Sequence, residues 1–153
     1  MILVRTSMWF GFLLFIYAYK TDKFPPLTTV VKHFDLNHIV TNCYERSGVD
    51  KKELIEFEMS EDMEHLPNST AIKTYLRCFG ELSESLEEKS NKLLLGKMSA
   101  YFAELTKEEQ EIYLGMVKGC VKRAKPIRDL LEFPYNLTVC FKRNDNQHFY
   151  IFY

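Results

Sequence analysis

Apolar positions recur along this chain at three- and four-residue steps, and no run alternates over the length of a strand. From Val30 onward, Val31, Phe34, Ile39, Val40 and Cys43 follow the helical period, and Gly48 stands where a left-handed C-cap would end that helix. Asp50 opens a short second helix, with Glu53 as its capping-box partner and Leu54, Ile55 and Phe57 on its apolar side. Ser69 or Thr70 caps a third, which carries Ile72, Tyr75, Leu76 and Phe79. The charged linker "GELSESLEEKSN" follows, and "KLLLGKMSAYFAEL" reads as a fourth helix. Thr106 and Glu109 form a second capping box, opening a long helix with Ile112, Tyr113, Met116, Val117, Cys120 and Val121 at helical spacing. A last helix is expected from Ile127 to about Lys142, kinked or split at Pro134. The pattern predicts an all-α domain of about six short helices, none long enough to be stable alone.

The two ends of the chain depart from this rhythm. Arg5 precedes "TSMWFGFLLFIYAY", which runs without charge up to Lys20. That run is shorter than the roughly 20 residues of a membrane span, which favours a cleaved secretory signal over an anchor helix. Ala18 is a plausible last residue of such a signal, so residues 1–18 are assigned as the leader and 19–153 as a single secreted, extracellular domain. "TDKFPPLTT" then enters in extended form, because Pro25 and Pro26 deny helix to Phe24. At the other end, Phe149–Tyr153 would form an exposed hydrophobic patch unless they fold inward, so the tail is expected to tuck into the domain.

Secretion changes the meaning of the four cysteines, Cys43, Cys78, Cys120 and Cys140. An even set in an oxidising compartment points to disulfides, and the spacing leaves all three pairings open. Two cysteines close enough for a metal site are lacking, as is a His-x-x-x-His companion. The sequons "NST" at Asn68 and "NLT" at Asn136 agree with a secretory route, although so short a pattern also arises by chance.

Composition excludes more than it selects. Few glycines and prolines argue against disorder or a β-sandwich, and a formal charge of −1 without a basic patch argues against nucleic acid. His33 and Asp35 sit close in sequence, yet neighbouring helical positions diverge and no nucleophile accompanies them. "SEDMEH" lacks the ligand periodicity of a calcium loop, and "GELSES" lacks a phosphate-cradling glycine pattern. Neither an enzyme nor a cofactor is implied. The surplus of Phe, Tyr, Leu and Met instead suggests adaptable walls around a cavity for a greasy ligand. Helix phase nominates Leu54, Phe57, Leu76, Met98, Phe102, Met116, Val117, Val121 and Phe141 as wall residues, with Phe149, Ile151 and Phe152 from the tail. Tyr75, Tyr113, Tyr150 and Tyr153 are candidate hydroxyl partners.

Between the four cysteines lie 34, 41 and 19 residues. This resembles the insect odorant-binding protein family, whose usual pattern has six cysteines, with three residues between the second and third and eight between the fifth and sixth. Counting back from Cys78 and Cys140 places the absent pair at Thr74 and Leu131. "IKTYLRCF" looks like the family's K-C-Y-x-x-C segment, and "RDLLEFPYNLTVC" like its D-x-C-E-x-A-Y-x-L-x-x-C segment. "CYERSGVDKKEL" also resembles the stretch after the first cysteine, so the likeness covers nearly all of residues 19–153.

The resemblance implies the pairing Cys43–Cys78 and Cys120–Cys140, the four-cysteine C-minus type with one whole bridge missing. It implies a carrier of small hydrophobic ligands that meets a membrane chemoreceptor only indirectly, as a monomer or weak homodimer. Some members release ligand as pH falls, and His148 is the histidine placed beside the tail to do so here. The same scaffold with a filled core would instead suit a secreted helical interaction protein, such as a venom or reproductive-fluid factor.

Overall fold

Phe34 and Asp35 split the first apolar run into two helices, α1 (Leu27–His33) and α2 (Leu36–Ser47), in a computed structural model that describes residues 25–153. The leader assigned to residues 1–18 lies outside the described residues. Phe34 leaves the helical region at φ −131°, and Asp35 restarts it by accepting the His38 N–H at 3.0 Å. Asp35 is therefore a cap and not a partner for His33, whose Nε2 lies 2.9 Å from Glu104 instead. Gly48 ends α2 at φ +63°, as the spacing predicts.

In α3 (Lys51–Met59), the Asp50 carboxylate takes the Lys52 N–H at 2.8 Å, not the Glu53 N–H of the expected capping box. Ser69 caps α4 (Thr70–Leu82) through the Ile72 N–H. α5 (Gly96–Ala103) starts later than the pattern predicts, because Leu93 pairs with Leu86 in an antiparallel bridge and holds that segment as a loop. The Thr106–Glu109 capping box opens α6 (Lys107–Val117). Gly119, at φ +73°, breaks the predicted long helix and sets off α7 (Cys120–Ala124).

The last helix, α8 (Glu132–Asn144), begins only where the Asp129 carboxylate gathers the N–H groups of Leu131 and Glu132. Those donors hold the Asp129 carboxyl below the usual carboxylate range. This late start overturns the expected kink. Pro134 falls in the first turn, where its missing N–H costs no helical hydrogen bond. The described residues thus form eight helices and no strand beyond one isolated bridge.

Two disulfides cross-link the helices. Cys43–Cys78 ties α2 to α4, and Cys120–Cys140 ties α7 to α8, the pairing that the family resemblance implied. The main core gathers Cys43, Leu54, Phe57, Ile72 and Tyr75, all fully buried. A smaller core forms around Leu86, Cys120, Ala124, Phe133, Leu137 and Cys140, and Phe141 packs against both.

The tail closes the structure. Phe149 and Ile151 are 3% and 6% exposed and belong to the main core. Tyr75 donates its hydroxyl to the Phe152 carbonyl at 2.6 Å, while the Phe79 and Phe152 rings stack at 5.9 Å. Buried Glu58 accepts the Ile151 N–H, and buried Lys142 donates to the Glu58 carbonyl and to Asn146 while lying over the Phe149 ring. The desolvation of both charged groups is thus met by hydrogen bonds that pin the chain's return.

Candidate functional site

A cavity of about 430 Å³ lies between the two cores, within the size range of small-molecule sites. α4 supplies Tyr75, Leu76, Phe79 and Gly80 from one face. Met98 and Tyr101 of α5 face it, with Tyr113, Met116 and Val117 of α6 and Val121 of α7. α8 adds Leu137, Thr138 and Phe141, and Phe149–Phe152 of the tail complete the wall. Leu95 and Val121 line the space yet are 68% and 48% exposed, which marks where it opens to solvent.

The loop after α4 is built for this wall by a buried cation. Arg77, 5% exposed, donates to Glu81, to the Glu87 carbonyl and to Asn91, and Asn91 reaches on to the Ile127 and Arg128 carbonyls. That network folds residues 83–95 back so that Leu86, Leu93, Leu94 and Leu95 reach the cavity. Gly80 permits the close approach, because a Cβ there would meet Leu86 Cδ1 at 2.6 Å.

The wall is electrically neutral. Among the described residues, no Asp, Glu, Lys, Arg or His lines the cavity. Its hydroxyls are nearly all committed within the protein. Ser83 and Ser85 donate to the Gly80 carbonyl, Thr138 to the Pro134 carbonyl and Tyr75 to that of Phe152, while Tyr101 and Tyr113 share a bond at 2.8 Å. Tyr150 differs: no hydrogen bond of the described residues uses its hydroxyl. Burial raises the phenols of Tyr75 and Tyr113 well above the ordinary tyrosine value, and Tyr150 is raised by burial first and the nearby Glu58 second. These phenols therefore stay protonated and serve as donors.

Of the wall residues nominated by helix phase, Leu76, Met98, Met116, Val117, Val121, Phe141, Phe149, Ile151 and Phe152 line the cavity. Leu54 and Phe57 do not; they are fully buried in the main core, where α3 packs without leaving space. Phe102 is off the wall as well, half-buried against that core. Of the candidate hydroxyls, Tyr153 stays outside the cavity, stacked on Tyr150 with Lys51 over its ring. His148 lies half-buried, its Nδ1 2.8 Å from Asp145. Val30, Phe34 and Leu36 also line the cavity without having been nominated. Val30 and Phe34 follow the 3–4 spacing, which shows an inward face but not what that face meets, whereas Leu36 opens α2 outside that spacing.

Beside the cavity, the Arg123 guanidinium contacts the outer disulfide, donating to Cys140 Sγ at 2.7 Å and to Cys120 Sγ at 3.3 Å. Cys140 also borders a surface pocket with Arg123 and Arg143. A cation beside a sulfur stabilises the departing thiolate, which lowers the barrier to thiol exchange. Cys120–Cys140 is therefore expected to open before Cys43–Cys78 under dithiothreitol, and Arg123→Ala is expected to slow its opening severalfold. Timed alkylation with peptide mass mapping reads both bridges. Equal rates in the wild type, or no change in the variant, would contradict this.

The PBP/GOBP family model matches residues 28–144, from within α1 to the end of α8 and over more than half of the chain. No curated protein and no solved structure matches it.

Proposed function

This chain belongs to the PBP/GOBP family, the insect odorant- and pheromone-binding proteins, and from that premise we propose that it carries small, neutral, hydrophobic molecules in the cavity between its two cores. The family is one of small secreted binding proteins, and the all-α, disulfide-linked fold agrees with it. The observation that carries the finer reading is the wall itself: apolar, uncharged, and with its hydroxyl donors committed apart from Tyr150.

Apolar burial drives entry, and the Tyr150 hydroxyl orients one acceptor such as an ester or ketone oxygen. A carboxylate has no cation on the wall and would be desolvated at a cost. Displacement of a fluorescent apolar probe tests this. Neutral esters and ketones should compete well, and carboxylates of equal chain length poorly at neutral pH. Tyr150→Phe should weaken an ester by roughly fivefold, the worth of about 1 kcal/mol for one hydrogen bond, and leave a matched alkane unchanged. Equal competition by acid and ester would contradict the neutral-ligand reading.

The C-minus assignment makes Thr74 and Leu131 the site of a missing α4–α8 bridge. Support comes from their neighbours: Lys73 donates to Glu132 at 2.7 Å and lies over the Tyr135 ring, and Tyr135 donates to the Pro67 carbonyl. Thr74→Cys with Leu131→Cys is expected to oxidise to a third bridge and raise the melting temperature. Two free thiols after oxidation would show that the positions are not partners.

A further inference from the structure

We propose that Asn68 carries an N-linked glycan and that Asn136, the other sequon, does not. The proposal rests on the secretory reading of the family and on nothing about the ligand. Both sites have the same pattern, an asparagine with a threonine two residues on, so the sequence treats them alike. The fold treats them differently.

Asn68 lies in the loop ahead of α4, exposed, and no hydrogen bond of the described residues uses its carboxamide. Ser69 is extended, at φ −60° and ψ 158°, and Thr70, the first residue of the helix, is exposed too. Extended backbone at the middle residue leaves the acceptor amide and the threonine hydroxyl free to meet one enzyme surface. Asn136 sits inside α8, where two residues advance roughly 200° around the axis, so Thr138 turns away from it. Thr138 faces the cavity and donates to the Pro134 carbonyl, while the Asn136 carboxamide donates to the Glu132 carbonyl and carboxylate. Both functional groups of that sequon are committed within the helix, and Cys140, one turn on, is fixed by its disulfide.

The reaction is a glycosyl transfer from an oligosaccharide linked to a lipid pyrophosphate. The Asn68 carboxamide nitrogen attacks the sugar C1 and a nitrogen–C1 bond forms. The C1–oxygen bond breaks with its electron pair going to the pyrophosphate, and the amide proton passes to a base of the transferase. The product leaves the ligand site untouched, since Asn68 is not on the cavity wall.

The test is secretion of the chain from insect cells behind a heterologous signal, followed by peptide mapping before and after peptide-N-glycosidase. One glycan at Asn68 and an unmodified Asn136 are expected, and Asn68→Gln and Thr70→Ala should each abolish the glycan while Asn136→Gln leaves it. An unmodified Asn68, or a glycan on Asn136, overturns the proposal. Titration of the same samples with an apolar fluorophore keeps the two readings apart. Loss of probe binding with the glycan present would count against the carrier, and the reverse against this site alone.

Discussion

Met98→Trp is expected to weaken binding of an apolar probe by about 100-fold or more while shifting the melting temperature by only a few degrees. Met98 lines the cavity from α5, half-buried at the edge of the main core. An indole there grows into a void and not into packed neighbours, so the usual penalty for overpacking is small. The effect on the ligand is large. Each buried methylene is worth about 0.8 kcal/mol, so a side chain that displaces roughly four of them removes about 3 kcal/mol of binding. Phe102, on the same helix but off the wall, is the control. Phe102→Leu should leave the dissociation constant within about twofold, because the residue touches no part of the cavity. Melting and fluorescence titration on the two variants check this, and equal loss in both would mean that the cavity is not the binding site.

Removing the inner disulfide is expected to have the largest effect on stability. Cys43 and Cys78 are 35 residues apart and are 0% and 3% exposed. Loop-closure entropy alone assigns this bridge about 4 kcal/mol, against about 3 for Cys120–Cys140 with its separation of 20. For a domain of this size the first loss lowers the melting temperature by roughly 10–20 °C. Affinity should fall with either loss. The outer bridge holds α7 and α8, which carry Val121, Leu137 and Phe141 of the wall, and the inner bridge holds α4, which carries Tyr75, Leu76 and Phe79. Paired Cys→Ala variants, measured for melting and for probe binding, read both effects. An inner-bridge variant as stable as the outer-bridge variant would contradict the assignment.

How much of this was legible beforehand depended on what kind of signal each residue leaves. Caps are local chemistry, so Gly48, Ser69 and the Thr106–Glu109 box stand where they were expected. Helical period reports which face turns inward but not whether it meets a neighbour or a void. Leu54 and Leu76 have the same phase signal, yet Leu54 fills the core and Leu76 borders the cavity. Pro134 reads as a helix break in the sequence, but the consequence of a proline depends on where its helix begins, and Asp129 sets that start. The loop leucines were hidden for another reason. "GELSESLEEKSN" reads as a charged linker and Leu93–Leu95 as the start of the next helix, but Arg77 and Asn91 organise this stretch through contacts distant in sequence, which no local pattern displays. The tail was legible from composition alone, since five bulky apolar residues in water are costly.

A filled-core interaction protein and a carrier would share the caps, the bridges and the buried tail, and they differ in whether the space between the two cores takes a ligand. Equilibrium titration of the secreted protein with an apolar naphthylamine fluorophore tests that directly. The carrier account predicts saturable, one-to-one binding that neutral esters displace and that Met98→Trp weakens by about 100-fold or more. Fluorescence that rises without saturation, or that survives unchanged in Met98→Trp, would contradict it.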